Sequence, residues 1–197
     1  MKFIVCFLLF VSACSNPNLS VKLIAELPKS KMQWSATGFL VRDDNGNSHL
    51  VTAGHFCEAA LAMRAFVEIE YLDGEKYTAR AGKYVVKKIG VGVDLCELVY
   101  LEKANHHMKG LELASEWRAM EPITVIGAPW GIYPAKTEGF LIGYHDGFLL
   151  ASCLALPGNS GSPVLNKDGE VLGMLVVGAE HLFGSVPFWQ IKQFVNE

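Results

Sequence analysis

Short apolar segments separated by polar turns run along the chain from about Leu19 to its end. Segments of this length, bounded by glycine, asparagine and aspartate, are typical of strands in a β-sandwich or barrel. The pattern predicts about ten strands, at residues 37–42, 49–52, 66–71, 76–86, 95–101, 123–127, 138–143, 148–153, 164–165 and 171–177.

Three of the turns carry a specific hairpin signal. Asn45-Gly46, Asp73-Gly74 and Asp168-Gly169 each lie between two predicted strands. Glycine in these pairs supplies the positive φ that a tight hairpin requires. Two helices are predicted, at residues 57–65 and 187–195, and the charged segment 104–121 is expected to connect two β subdomains.

Composition supports an all-β protein and limits the function classes. The chain has 197 residues, of which 51% are hydrophobic and 19% charged, with 19 glycines and 11% aromatic residues. This provides one sizeable core or two small cores that share an interface. The net charge is −3 and no basic stripe with interleaved aromatic residues is present, so a nucleic-acid partner has no support.

The first residues form a separate block with the features of an export signal. Lys2 supplies a positive charge, residues 3–11 are apolar, and Ser12-Ala13 precede Cys14. Val11-Ser12-Ala13-Cys14 resembles a bacterial lipobox, which predicts a signal peptide at 1–13 and lipid on Cys14 as a membrane anchor. Ordinary cleavage after Ala13, giving a secreted or periplasmic soluble protein, is the alternative. Residues 14–30 then form a tether that leads into the first strand.

Three stretches each join one candidate catalytic residue to apolar residues that place it near the end of a strand. His55 follows Leu50-Val51-Thr52-Ala53-Gly54, and Asp94 precedes residues 95–101. Ser160 lies in Gly158-Asn159-Ser160-Gly161-Ser162-Pro163. Taken alone, His55 is most simply a solvated histidine, Asp94 a turn residue and Ser160 a loop residue. Together, they supply a hydroxyl, a base that takes its proton and a carboxylate that orients the base.

These elements, in this order, resemble the chymotrypsin-like serine proteases, particularly bacterial glutamyl endopeptidases and high-temperature-requirement proteases. The resemblance covers nearly all of the mature chain and implies an all-β fold of two six-stranded antiparallel barrels with a short C-terminal helix. It places a protease domain at 31–197, with barrels at about 31–103 and 121–186 and the helix at 187–196. It implies a serine endopeptidase that acts on protein or peptide substrates, without a metal or other cofactor.

The resemblance also assigns roles to residues around the serine. The backbone amides of Gly158 and Ser160 would stabilise the oxyanion, each donor contributing roughly 3 kcal/mol. Zymogen-type relatives have aspartate before the serine, which pairs with a freed N-terminal amine. Asn159 cannot form that ion pair, so we expect activity without N-terminal trimming.

The substrate pocket is expected to have an apolar base and walls. The family pattern places Leu154 and Ala155 at the base, with Val177-Gly178 and Gly184-Ser185 as walls. Without an aspartate at the base, Lys or Arg before the cut is disfavoured and an apolar residue is expected. His181 near the wall leaves an acidic preference open.

Three cysteines remain in the mature domain once Cys6 leaves with the signal and Cys14 is acylated. Cys57 lies two residues after His55 and Cys96 two residues after Asp94. If the catalytic groups meet, the Cα separation falls within the ~4.4–6.8 Å window of a disulfide. Two buried thiols are the alternative, and Cys153 is expected to be an unpaired core residue. His106-His107 and these thiols lack finger-like spacing, so no zinc site is predicted.

Two other functions are compatible with parts of the sequence. An α/β-hydrolase needs Gly-x-Ser-x-Gly followed by aspartate and histidine, whereas position 162 is serine and little chain follows Ser160. A catalytically silent member of the same fold, acting as a surface binding module, is the stronger alternative. No feature of the sequence sets an oligomeric state.

Overall fold

The computed structural model of this protein describes residues 19–26, 33–85, 93–101, 109–179 and 181–197. These residues form two closed six-stranded antiparallel barrels and a C-terminal helix, so the predicted fold class is confirmed. The leader at 1–13, Cys14 and His106-His107 lie outside the described residues.

The first barrel contains six strands and one helix. In chain order they are β1 (Val21–Glu26), β2 (Gln33–Arg42), β3 (Ser48–Thr52), α1 (Gly54–Ala62), β4 (Val67–Glu70), β5 (Lys76–Val85) and β6 (Leu95–Tyr100). Around the barrel the order is β1-β2-β3-β6-β5-β4, and β4 pairs with β1 to close it. Buried side chains from alternate strand positions and from α1 fill its interior.

The second barrel has the same closure and ends in a helix. Its elements are β7 (Pro122–Gly127), β8 (Ala135–His145), β9 (Phe148–Ser152), β10 (Pro163–Leu165), β11 (Val171–Ala179), β12 (Leu182–Pro187) and α2 (Phe188–Asn196). The strand order is β10-β11-β12-β9-β8-β7. A 3₁₀ turn at Pro129–Gly131 follows β7.

A shared apolar cluster joins the two barrels. It contains Phe39 and Val51 of the first barrel, Val171 and Met174 of the second, and Phe194 of α2, all buried. The connecting segment bridges both barrels, since Leu111 exchanges backbone hydrogen bonds with β2 and Ala114 donates one to Val171. Two small cores with a common interface therefore hold the barrels together, which is what positions residues from both at one cleft.

Two missed strands and the start of one helix are the differences from the predicted elements that affect the barrels and the site. The pattern predicted about ten strands and missed β1 and β12. The first barrel consequently begins at Val21, earlier than the predicted boundary at residue 31. The helix predicted at 57–65 begins at Gly54. His55 is therefore in the first turn of a helix and not at the end of a strand. Neither described helix is long and apolar enough to cross a bilayer.

The turn between β2 and β3 is organised by one carboxylate. Asp43 accepts hydrogen bonds from the backbone N–H groups of Asn45 (2.9 Å) and Asn47 (2.7 Å) and from the Asn47 side-chain amide (2.9 Å). It also faces Nε2 of His49 at 3.3 Å. The Asn47 side-chain hydrogen bond, followed by the other hydrogen bonds, favours the ionised carboxylate and lowers the pKa of Asp43 from 3.8 to about 2.

We expect Asp43 to make stability depend on pH in the acid range. A depressed carboxyl pKa stabilises the folded state above the unfolded pKa, and this contribution is lost as the pH falls through the folded pKa. Asp43→Asn should therefore lower the free energy of unfolding at pH 7, and its difference from the wild type should shrink between about pH 4 and 2. Urea unfolding at several pH values measures this. A difference that stays constant with pH would contradict it.

Candidate functional site

His55 and Asp94 are brought together by the pairing of β3 with β6. Thr52 of β3 lies opposite Cys96 of β6, so the residues after one strand adjoin those before the other. The His55 backbone N–H donates to Asp94 Oδ1 at 2.8 Å, and its ring Nδ1 lies 2.6 Å from Oδ2. The first N–H groups of a helix have no partner within the helix. Asp94 accepts a hydrogen bond from one of them, that of His55 in the first turn of α1.

The pair is buried on the carboxylate side and open on the histidine side. The Asp94 side chain is 6% exposed and that of His55 is 43% exposed. Gly54 permits this approach, since a Cβ there would lie 2.8 Å from Asp94 Oδ1 and 2.3 Å from the Val85 carbonyl oxygen. Among the described residues Nε2 of His55 has no hydrogen-bond partner. The imidazole is thus held in one orientation with Nε2 available.

The Ser160 loop lies between β9 and β10 and is fixed by its own backbone. The N–H groups of Asn159, Gly161 and Ser162 donate to backbone carbonyls at 3.0, 2.7 and 2.9 Å. In the part of the chain that the structure describes, those of Gly158 and Ser160 have no protein acceptor. Gly158 has φ +100°, and a Cβ there would lie 2.2 Å from the Ala128 carbonyl oxygen. The loop therefore carries two unpaired N–H donors, one of them on Gly158, a position that only glycine can occupy.

Backbone contacts bring the Ser160 loop of the second barrel against the first barrel. The Thr37 N–H donates to the Ser160 carbonyl at 2.9 Å, and the Thr37 carbonyl accepts from the Thr52 hydroxyl at 2.7 Å. Thr52 precedes His55 by three residues. Within the described residues, the Ser160 hydroxyl makes no hydrogen bond with His55. Catalytic hydrogen bonds are often long in resting enzymes and tighten when substrate binds.

The residues expected to line a substrate pocket lie on β11, β12 and the segment before Ser160. A Cβ at Gly178 would lie 3.0 Å from Ala155 Cβ, and one at Gly184 would lie 3.1 Å from Val177 Cγ1. Leu154 and Val177 are exposed, and so is Leu182 of β12, whose carbonyl oxygen would lie 3.4 Å from a Cβ at Gly178. Ser185 differs, because it is buried and its hydroxyl donates to the Leu149 carbonyl at 3.0 Å. The proton of the Ser185 hydroxyl is therefore used in a hydrogen bond within the second barrel.

Cys57 of α1 and Cys96 of β6 form a disulfide beside the histidine–aspartate pair, with a Cα–Cα separation of 6.4 Å. Both residues are fully buried. Cys153 is a buried free thiol, as expected, and burial raises its pKa. No group of three or more His, Cys, Asp or Glu side chains in the described part of the chain is arranged to hold a metal ion.

Removing the disulfide should reduce stability substantially. It closes a loop with a sequence separation of 39, for which the chain-entropy model gives about 4 kcal/mol. We expect Cys57→Ala/Cys96→Ala to lower the free energy of unfolding by about this amount in urea under non-reducing conditions. Cys153→Ala, which removes a buried thiol outside the disulfide, is the control and should cost much less. Equal stability of the double variant and the wild type would contradict the expectation.

Comparison with known proteins identifies the same region of the chain. Residues 36–174, well over half of the chain, match the model of the trypsin-like peptidase domain. The chain is also similar to the protein named Serine protease HTR4 from Bos taurus, with 28% identity over 177 residues. That alignment covers 83% of this chain and 34% of the bovine protein, so the chain spans about a third of the length of this curated relative.

Proposed function

The chain belongs to the trypsin-like peptidase family, and we propose that it is a serine endopeptidase with Ser160 as nucleophile, His55 as general base and acid, and Asp94 as the residue that orients His55. The family supports serine protease function in general. The observation that carries the assignment of residues is the His55–Asp94 pair, whose Nδ1–Oδ2 distance of 2.6 Å leaves Nε2 available.

In the first half of the proposed reaction, His55 Nε2 takes the proton of the Ser160 hydroxyl as Oγ attacks the carbonyl carbon of the substrate. The N–H groups of Gly158 and Ser160, which have no acceptor among the described residues, donate hydrogen bonds to the carbonyl oxygen as negative charge develops on it. The C–N bond then breaks, and His55 returns the proton to the departing amine. An acyl ester on Ser160 remains.

In the second half, water takes the place of the amine. His55 removes a proton from the water as its oxygen attacks the acyl carbon, and the same two N–H groups stabilise the second oxyanion. The ester bond breaks and His55 returns the proton to Ser160 Oγ. Asp94 remains ionised throughout and stabilises the imidazolium that forms twice in each turnover.

The proposed activity is tested with a fluorophosphonate probe, which reacts with activated serine hydroxyls. The protein is probed without protease treatment, because Asn159 predicts activity without N-terminal trimming. We expect the wild type to be labelled and Ser160→Ala to remain unlabelled. A folded wild-type protein that stays unlabelled would favour the alternative, a catalytically silent binding module.

We propose that the substrate carries an apolar residue before the scissile bond. The residues around the proposed pocket are Leu154, Ala155, Val177, Gly178 and Gly184, none of which is charged. An aliphatic side chain buried there gains about 25 cal/mol for each Å² removed from water, whereas a buried Lys or Glu needs a partner.

Matched peptides that differ only at this position measure the preference. The value of kcat/KM should be highest for Val, Leu or Ala and at least about tenfold lower for Lys and Glu. A preference for Glu would contradict the proposal and would point instead to His181, which is exposed and whose carbonyl accepts from the Cys153 N–H.

We also propose that the protein is exported and anchored by lipid on Cys14. The sequence Val11-Ser12-Ala13-Cys14 supports this, and a disulfide is consistent with an oxidising compartment outside the cytoplasm. Incorporation of a labelled fatty acid into the wild type, lost in Cys14→Ser, is the expected result. Equal incorporation, or none in either protein, would contradict the anchor.

A further inference from the structure

Thr37 lies where the Ser160 loop of the second barrel meets the first barrel. It belongs to β2 and is 0% exposed. Its backbone N–H, backbone carbonyl and hydroxyl all form hydrogen bonds outside the pairing of its own strand. A residue with this many long-range polar contacts fixes the relative position of the segments that it joins.

The hydroxyl of Thr37 holds the peptide between the two proposed oxyanion donors. It donates to the Gly158 carbonyl oxygen at 2.8 Å. The Gly158–Asn159 peptide lies between the peptide that carries the Gly158 N–H and the one that carries the Ser160 N–H. Gly158, at φ +100°, has the conformational freedom of glycine. A fixed carbonyl in the middle peptide limits the rotation that would turn either donor away.

The same hydroxyl also joins this peptide to the loop after β7. It accepts the Ala128 N–H at 3.0 Å while donating to Gly158. That loop contacts the Ser160 loop a second time, because the Trp130 N–H donates to the Pro157 carbonyl at 2.7 Å. The Thr37 hydroxyl therefore uses its one proton and a lone pair to connect two loops of the second barrel.

The backbone of Thr37 connects the nucleophile to the strand that leads to the histidine. Its N–H donates to the Ser160 carbonyl at 2.9 Å, and its carbonyl accepts from Thr52 at 2.7 Å. Gly161 packs so closely here that a Cβ on it would lie 2.0 Å from the Thr37 carbonyl oxygen. Consecutive hydrogen bonds therefore connect the Ser160 loop, through Thr37, to Thr52 of β3.

We propose that Thr37 is a positioning residue of the active site, whose hydroxyl holds the Gly158–Asn159 peptide so that both oxyanion donors face the substrate carbonyl. This inference rests on the proposed protease activity. Thr37 does not touch the reacting atoms, so its effect is indirect and smaller than that of a donor itself, whose loss costs about 10²–10³ in kcat.

The pair Thr37→Ala and Thr37→Ser isolates the hydroxyl, since both variants lack the methyl group and only Ala lacks the oxygen. We expect Thr37→Ala to lower kcat by about 10- to 100-fold with KM changed less than about threefold, and Thr37→Ser to recover most of this loss. Thr37→Val, which retains the shape, should resemble Thr37→Ala. Ser48→Ala, which removes another side-chain hydrogen bond of the first barrel, to the Gly110 N–H, should keep full activity.

Two readouts distinguish positioning from a general loss of structure. A peptide aldehyde forms a tetrahedral adduct with serine, so its affinity should fall in Thr37→Ala by the same factor as kcat/KM. The pH at which kcat/KM reaches half its plateau should not move, because the His55–Asp94 contact is untouched. A shift of that midpoint would contradict the proposal.

The outcomes separate this inference from the proposed function. A folded wild type that reacts neither with substrate nor with a fluorophosphonate overturns both. A reactive wild type with equal activity in the Ala and Ser variants overturns only the role of Thr37. Equal loss of folding in both variants also overturns it, since the hydroxyl would then make no difference.

Discussion

Ser160→Ala is expected to lower kcat by about 10⁶-fold, equivalent to roughly 8 kcal/mol of transition-state stabilisation. Without Oγ no acyl-enzyme forms, and His55 has no hydroxyl to deprotonate. The oxyanion donors and the substrate contacts remain, so a slow direct attack by water persists above the uncatalysed rate. Steady-state hydrolysis of an apolar peptide substrate, measured at high enzyme concentration, gives the ratio.

Ser162→Ala is the matched control for this variant. Ser162 is in the same loop, is fully buried, and its hydroxyl has no hydrogen-bond partner among the residues that the structure describes, so its removal leaves the loop backbone intact. We expect kcat within about tenfold of the wild type. If Ser160→Ala retained more than about 10⁻³ of the wild-type kcat, another nucleophile would have to be responsible.

The local part of the fold could be predicted because it depends on turn chemistry. Gly46, Gly74 and Gly169 all adopt positive φ in the structure, at the three turns where the sequence predicted hairpins. Each hairpin signal is contained in two residues. It needs no knowledge of the rest of the chain.

The two strands missed by the sequence analysis, β1 and β12, could not be identified from the residues of each strand alone. β12 contains Gly184 and stops at Pro187, which interrupt the strand preference of Phe183 and Val186. It is extended because β11 and β9 hydrogen-bond to it on both sides. β1 does alternate buried and less buried positions. It was not predicted because its residues were assigned to the tether at 14–30.

The candidate site also contains residues that the sequence could suggest and one that it could not. His55, Asp94 and Ser160 each lie in a recognisable stretch, so the sequence could suggest them. Thr37 could not be found from the sequence, because its hydroxyl contacts residues 91 and 121 positions away. The residue itself is a β-branched residue in a strand, which is ordinary. Its role follows only from the packing of one barrel against the other.

Asp94→Asn is expected to lower kcat by about 10⁴-fold at neutral pH, the second largest effect. The carboxylate accepts the His55 backbone N–H on Oδ1 and lies 2.6 Å from Nδ1 on Oδ2. An asparagine whose oxygen keeps the backbone hydrogen bond must present its NH₂ group to Nδ1. The proton of the neutral ring then moves to Nε2, which can no longer accept the proton of Ser160.

The structure offers a second histidine–aspartate contact as the matched control. Asp43 Oδ2 lies 3.3 Å from Nε2 of His49, so Asp43→Asn makes the same chemical change beside another imidazole, outside the proposed site. It should leave kcat within about twofold of the wild type while altering acid stability as described above. Comparable losses in both variants would mean that removing negative charge, and not the tautomer of His55, controls the rate. A large loss confined to Asp94→Asn, with fluorophosphonate labelling slowed by a similar factor, follows only if His55 must present a bare Nε2 to Ser160.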